Sequence, residues 1–503
     1  MSDSPHLIIG TRGSDLALWQ AHHVRDLIQE MGGTCEIKVL STQGDREQVQ
    51  AFEKLEGKGF FTKEIEEALL DRRIDVAVHS HKDLETTQPE GLTIAAVPQR
   101  AAAQDVLLVR RAEHVQGPWL PLRYGAVVGT SSVRRRDQLL LLRPDLDIQA
   151  LRGNVPTRIE RLREGRYDAI VLAAAGLNRL ELALDDLVRV DLDPRHFVPA
   201  PAQGALALQM REDDPRANWL AQLTHNNTAE AINAERSILR ALDGGCQLPF
   251  GAHRVGTDPI RAFLQSSEGP RRVLSTDAPT ALNALQTPPP ALRLLVTRAP
   301  KTDVLARLAS GAGCTLIEHP SIALSPTGHP APVGSFDGIW LSSPGAARMA
   351  AEWLGQHPEV PIAVPGSGTA DALTETQSAR LCFVGSGDPM EAWRAFAERC
   401  EPQNRIALPH SIQSMKRWET DPVPFTVAAW PLYSTEANTL PPPTADIVCF
   451  TSPSNVRHWS GSQPAISVAI GPTTSAALTA IGWPHRTAES PDAFGIWEAM
   501  MGD

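Results

Sequence analysis

The sequence predicts an α/β fold in several domains, on three observations. Short β-rich runs alternate with amphipathic helical patterns through the first half, and a strand–turn–helix unit recurs in the second. The chain also has 503 residues, more than a single hydrophobic core organises. The first run, HLIIGTR, reads as a strand. It leads into a helix from Ser14 to Glu30 in which Ala17, Ala21, Val24 and Ile28 form one apolar stripe and Ser14 caps the start. CEIKVLST reads as the next strand. FFTKEIEEALLDRR then repeats the helical logic through Phe61, Ile65, Ala68 and Leu69, with further strands expected at Ile74 to Val78, Ala126 to Val128 and Ala169 to Leu172. Near Leu285 the pattern changes. Pro288, Pro289 and Pro290 precede a new strand, LRLLVTR, and read as a stiff spacer between domains, the alternative being an internal loop. Beyond it, FDGIWLSSPGAARM and PIAVPGSGTADAL are echoed by ADIVCFTSPSNVRHW and ISVAIGPTTSAAL. Either two similar α/β lobes face each other across a cleft, or unrelated α/β units look alike by chance.

Composition narrows the function classes. The net charge of -11 disfavours general binding to nucleic acid or to an anionic membrane. No apolar stretch is long enough to span a bilayer, and MSDSPHLIIGTRG lacks a basic region followed by a long apolar one, so a cytoplasmic location is expected. The six cysteines, Cys35, Cys246, Cys314, Cys382, Cys400 and Cys449, are scattered without a CxxC pair, so neither disulfides nor a metal site is expected.

Arginines crowd the stretch from Arg134 to Arg166, most of them readable as solvated helix faces. Arg134 and Arg135 differ in following the strand-turn GAVVGTSS, and Arg152 and Arg158 in lying in the loop-like LRGNVPTR. Guanidinium forks there suit a substrate rich in carboxylates, and Thr130, Ser131 and Ser132 stand where a helix begins and backbone N–H groups attract anions. Asp83, beside Lys82, follows the strand IDVAVHS, where catalytic groups of α/β folds gather; it is either a solvated loop carboxylate or a proton donor that then stabilises a cation. Cys246 follows Gly244 and Gly245 in DGGCQLPFG and is either a small buried hydrophobe or a tethering thiol.

Together TRGSDLALWQA, TQGD, GKGFFTKEIEEALL, DVAVHSHKD, GTSSVRRR, LRGNVPTR, DAIVLAAAGLNRL, PAQGAL and GGCQLP resemble hydroxymethylbilane synthase (porphobilinogen deaminase) in order and spacing across roughly residues 6 to 255. The resemblance implies a three-domain fold like that of periplasmic binding proteins, with a dipyrromethane cofactor joined by thioether to Cys246. It implies that Asp83 assists ammonia loss from porphobilinogen and stabilises the azafulvene cation. Lys58, Lys82, Asp83, Thr130, Ser132, Arg134, Arg135, Gly153 and Arg158 would hold the cofactor. Arg12, Ser14, Ser80, Arg152, Arg158, Arg179 and Gln203 would hold substrate. The family commonly has Met where His81 stands, Arg where Gln43 stands and Gly where Pro156 stands, and its third domain is longer than the stretch between Cys246 and the prolines. The domains expected are residues 1–287, with lobe 1 at about 1–98 and 199–222, lobe 2 at about 99–198 and a shortened third domain at about 223–287; then a linker at 288–291.

The second half carries hydroxyl-rich turns at Ser342, Ser343, Thr369, Ser452, Thr473 and Thr474, for which helix capping is the ordinary explanation. LLVTRAP, LSSPGAARM, GSGTA, PLYST, FTSPSNV and IGPTTSAAL resemble uroporphyrinogen-III synthase through nearly all of residues 292–503. The resemblance implies a two-lobed fold, lobe 1 at about 292–322 and 435–503 and lobe 2 at about 323–434, that closes hydroxymethylbilane with inversion of ring D and loss of water. Tyr433 would help the hydroxyl depart, and Ser343, Thr369, Ser452, Thr473 and Thr474 would bind substrate. An Arg-Gly pair usual after the strand matched by RIAL is replaced by PHSIQ. The expected partners are thus the small molecules porphobilinogen and hydroxymethylbilane, the expected state a monomer. Two alternatives are an active deaminase with a degenerate second half and a non-catalytic anion-binding protein.

Overall fold

A computed structural model describes residues 5–41, 62–115, 120–245, 247–287, 291–298, 303–370, 372–414 and 422–502. The chain is mixed α/β and forms two compact units, Met1–Glu113 with Tyr124–Pro288, and His114–Arg123 with Pro289–Asp503.

In the first unit, β1 (His6–Thr11), β2 (Thr34–Val39), β3 (Val76–Ser80) and β4 (Leu92–Ala96) belong to one sheet. A second sheet takes β5 (Asp105–Arg110), β6 (Val127–Gly129), β7 (Asp147–Gln149), β8 (Ala169–Ala173) and β9 (Leu187–Leu192). The chain then returns through β10 (Leu206–Arg211) to the first sheet, whose order is β2-β1-β3-β10-β4; the second reads β7-β6-β8-β5-β9. β1, β2 and β3 run parallel, as do β6, β7 and β8, while β10 and β5 pair antiparallel to their neighbours. Two crossings therefore join the sheets, residues 97–104 and 193–205. β11 (Phe250–His253), β12 (Ile260–Ser266) and β13 (Gly269–Ser275) make a small antiparallel sheet. It shares the core of Ile238, Phe250, Ile260, Ala281 and Leu285 with the helices Asn226–Ala241 and Ala278–Gln286.

The first helix, Asp15–Glu30, starts at Ser14, whose hydroxyl accepts from the Ala17 amide. Its buried face is Gln20, Ala21, Val24 and Ile28, so Gln20 takes the place the apolar pattern gave to Ala17, which is only half-buried. The burial is tolerated because the Gln20 amide donates to Ser80 Oγ at 2.9 Å.

The second unit contains β14 (Arg293–Val296), β15 (Thr315–Glu318), β16 (Ile322–Pro326), β17 (Gly338–Trp340), β18 (Ile362–Val364) and β19 (Leu381–Val384). β20 (Arg405–Ser411), β21 (Thr426–Ala437), β22 (Ile447–Phe450), β23 (Ile466–Ala469) and β24 (His485–Thr487) follow. They form a parallel five-stranded sheet, β15-β14-β22-β23-β24, and a six-stranded one, β16-β21-β20-β17-β18-β19. The antiparallel pair β16/β21 is where the chain enters and leaves the larger sheet. The recurring unit of the sequence is real at the level of local geometry. β17 runs into the helix Pro344–Met349 and β22 into Pro453–Arg457, each capped by an extended serine, Ser343 or Ser452, that accepts from the third amide onward with proline in the first turn.

Candidate functional site

In the first unit the chemistry gathers beyond the carboxyl ends of β1, β3, β6 and β8, where open α/β sheets leave backbone groups and loops free to meet a ligand. β3 ends at Ser80 and turns through a short 3-10 segment, His81–Asp83, which leaves Asp83 exposed. Beside it the Lys82 ammonium donates to Gln203 Oε1 at 3.1 Å, and the Gln203 amide donates in turn to Asp105 Oδ1 at 3.0 Å. Asp105 opens β5 and is wholly buried. It accepts from Arg134 Nη1 at 2.8 Å and from Arg135 Nη2 and Nε at 2.6 and 3.0 Å. Both arginines lie on the helix Val133–Leu142 that follows β6, with Ser132 as its cap.

Charges across this cluster register one another. Burial pushes the Lys82 ammonium down to about 8, against the pull of Asp83 and with the push of Arg135. Burial, then repulsion by Arg135, brings Arg158 down to about 10, opposed by Asp83. For Asp105 burial favours protonation, but the two guanidiniums overcome it and hold the carboxyl far below the usual range. Asp83 is thus an exposed side chain electrostatically coupled to Lys82 and Arg158, while Arg134 and Arg135 behind them are held on Asp105.

The other residues singled out in this half have local duties. Thr130 Oγ1 accepts from the Ser132 amide and Ser80 accepts from Gln20. Arg179 donates to Gly204 O at 2.9 Å and lies 5.5 Å over the Trp19 ring. Arg12, just past β1, and Arg152, before Gly153, are half-buried. LRGNVPTR is not the loop that its Gly and Pro suggest. Asn154 caps a helix, Val155–Arg163, with Pro156 in its first turn, and Arg158 donates from it to Gly153 O at 2.7 Å. Gly153 has φ +102, and a Cβ there would meet the Thr157 side chain at 2.9 Å. Lys58, Gln43, Cys246 and the prolines 288–290 lie outside the described residues.

In the second unit Tyr433, on β21 and 5% exposed, has its hydroxyl 2.7 Å from Ser343 Oγ. Burial raises its phenol above the ordinary value, opposed by hydrogen bonds with Ser343 and Ser411. Gly345 packs close beside it: a Cβ there would stand 3.0 Å from that hydroxyl and 3.1 Å from the Leu324 side chain. Thr369 is buried after β18, and Thr474 is buried with no acceptor for its Oγ1 among the described residues, while Thr473 is exposed. Thr473 and Thr474 open the helix Pro472–Ala480, which no side chain caps, so its first amides remain available to an anion.

Known proteins show which families the two halves of the chain match. Residues 7–218 match the family described as porphobilinogen deaminase, dipyromethane cofactor binding domain, and residues 229–278 match porphobilinogen deaminase, C-terminal domain. Porphobilinogen deaminase of Nitratidesulfovibrio vulgaris Hildenborough is 46% identical over 288 residues, covering 56% of this chain and 89% of its own. That of Maridesulfovibrio salexigens is 47% identical over 269 residues, covering 52% and 85%. The chain belongs to the porphobilinogen deaminase family. Residues 303–498 match uroporphyrinogen-III synthase HemD, so the chain is a fusion of two enzymes of tetrapyrrole biosynthesis. Among solved structures, uroporphyrinogen-III synthetase from Helicobacter pylori 26695 matches 41% of this chain and 97% of its own at 15% identity and a TM-score of 0.30, too distant to carry an argument.

The deaminase site fits the dipyrromethane cofactor that its family takes. A pyrrole pair bearing carboxylates needs an excess of positive charge, and Lys82 and Arg158, with Arg134 and Arg135 outnumbering Asp105, supply one. Arg179 Nε is a further buried donor without an acceptor among the described residues. Sequence reasoning missed Asp105, the carboxylate that fixes both arginines. Its one signal is an acidic residue opening an otherwise apolar run, DVLLV. It also missed Glu235 and Arg236, which lie on the helix Asn226–Ala241 in a stretch where no residue was singled out. His81, at the position of the family's usual Met, is buried and held down to about 3 by its burial and by Arg236, so it brings no charge to the turn.

Proposed function

We propose that the first half joins four porphobilinogen molecules head to tail, releasing ammonia at each step, and that the second half closes the linear product to uroporphyrinogen III with ring D inverted and water lost. Dipyrromethane attached at Cys246 supplies the pyrrole that begins the chain. Lys82, Arg134, Arg135 and Arg158, with Lys58, Thr130, Ser132 and Gly153, hold its acidic side chains. Arg12, Ser14, Ser80, Arg152, Arg158 and Arg179 orient the acetate and propionate groups of substrate, with Gln203, wholly buried and bonded to Lys82, Ala103 and Asp105, supporting them from behind. Asp83 donates a proton to the departing amine, then faces the positive charge left on the substrate as a carboxylate. The observation that carries this reading is the placement of exposed Asp83 at a strand end beside two cations, Lys82 and Arg158. The sheets correspond to a periplasmic-binding-protein-like pair of lobes with a small third domain, and the second unit to two lobes joined through β16 and β21. Such a protein acts on small molecules as a monomer in the cytoplasm. No helix among the described residues is long and apolar enough to cross a membrane.

The second half needs little acid–base chemistry, because its substrate ionises readily. Its task is to hold the chain folded for the inverted closure. Tyr433, paired with Ser343, assists the leaving hydroxyl, and Thr369, Ser452, Thr473 and Thr474 take carboxylates. The test of the first reading is Asp83→Asn. It keeps the cofactor, visible with Ehrlich's reagent, and loses turnover by about 100-fold or more; a near-parental rate removes Asp83 from the chemistry.

A further inference from the structure

Two adjacent residues of the helix Asn226–Ala241 reach different parts of the deaminase machinery. Arg236, 5% exposed, spends its guanidinium on the backbone of the Asp83 turn. Nη1 donates to His81 O at 2.9 Å and to Leu84 O at 3.3 Å, and Nη2 to Leu84 O at 3.3 Å and Glu85 O at 2.6 Å. His81 O also takes the Leu84 amide at 3.4 Å, and the fork gathers it with the two carbonyls that follow, closing the turn from outside. Glu235, wholly buried, holds the crossings between the two sheets: it takes Arg100 Nη1 at 2.7 Å and the Ala202 amide at 2.7 Å. Ala202 has φ +59, a left-handed backbone that a non-glycine residue keeps only when its surroundings enforce it. The same helix ends at Ala241, and Cys246 follows it in sequence.

We infer that Arg236 is a positioning residue for Asp83: from the helix that leads to the cofactor-bearing loop, its guanidinium fixes the turn on which the catalytic carboxylate stands. This rests on the reading of Asp83 given above. The geometry requires a planar fork, since three carbonyls along one turn are met at once, and an ammonium reaches fewer of them. Arg236 touches no reacting atom in this scheme. Its loss loosens the carboxylate rather than the substrate-holding cations, so it acts on turnover and spares substrate affinity.

The experiment uses the full chain with its cofactor in place and compares Arg236→Met, Arg236→Lys, Asp83→Asn and the Asp83→Asn/Arg236→Met double variant. Cofactor content is read with Ehrlich's reagent and steady-state kinetics with porphobilinogen. Arg236→Met is expected to lower kcat about 10-fold or more with KM within about 2-fold of parent, Arg236→Lys to fall between. In the Asp83→Asn background the same change should cost less than about 2-fold, because the group it positions is gone. Parental kcat in Arg236→Met beside an impaired Asp83→Asn overturns the coupling alone, as does a full multiplicative loss in the double variant. A parental rate in Asp83→Asn overturns the reading of Asp83 and this inference with it. If Arg236→Met does not fold, Arg236→Lys carries the same comparison.

Discussion

Asp105 sets the charge balance of the deaminase site. One buried carboxylate holds two guanidiniums that would otherwise repel, and through Gln203 it reaches Lys82. Removing one partner of such a group leaves uncompensated charge in the interior. Asp105→Asn is therefore expected to cost about 3–5 kcal/mol, read as a lower unfolding midpoint; an unchanged midpoint would mean that the arginines find another anion. The buried histidines give a pH prediction. His79 and His81 stay neutral in the fold, down to about 4 and about 3 against 6.5, chiefly because burial penalises their charge. The unfolded chain therefore takes up protons first, so stability is full above about pH 6.5 and falls as pH drops toward 4, by about 1.4 kcal/mol per unit per histidine. His81→Met should flatten this slope between pH 7 and 5, and equal slopes would show that His81 does not titrate on unfolding. Residues differ in how plainly they read. Asp83 is legible because it follows a β-rich run into a turn. Asp105 is not, since a charge at the start of a strand looks like solvated edge until the two arginines arrive from the helix after β6.

At the level of elements, strand ends and helix caps were the most legible features, because they depend on neighbouring residues alone. Ser14, Ser343 and Ser452 all cap as their hydroxyls suggest. LRGNVPTR misled because Gly and Pro read first as loop signals, whereas Asn154 and Pro156 are equally a helix cap and first turn. The strand expected at Ile74 to Val78 runs instead from Val76 to Ser80: Ile74 is buried, but as part of the approach to the sheet. The crossings between sheets were not legible, since their constraints come from distant segments. Gly204 is the clearest case, with φ +87 and space for a Cβ only at 2.6 and 2.8 Å from the carbonyls of Ala101 and Ala102. Gly204→Ala is expected to lower stability by more than about 1 kcal/mol and to reduce turnover, measured by thermal unfolding and porphobilinogen consumption. An unperturbed variant would mean that the crossing bends freely there.

Across the whole molecule, the order of motifs made the fusion readable, and the matches to both families agree with it. The net charge is -11, while the candidate deaminase site sets Lys82, Arg134, Arg135 and Arg158 against two carboxylates, Asp83 and Asp105. That contrast lets an acidic protein take a poly-acidic substrate. In the second half, Tyr433→Phe should lower the share of type III product while porphobilinogen consumption stays parental, since the role proposed for Tyr433 lies in ring closure alone; an unchanged isomer ratio would exclude the phenol. The central claim, that one chain carries a substrate from monomer to inverted macrocycle, is tested most directly by isomer analysis of the oxidised product when purified protein receives porphobilinogen alone. Predominantly type III product is expected; type I product, or untouched porphobilinogen, would contradict it.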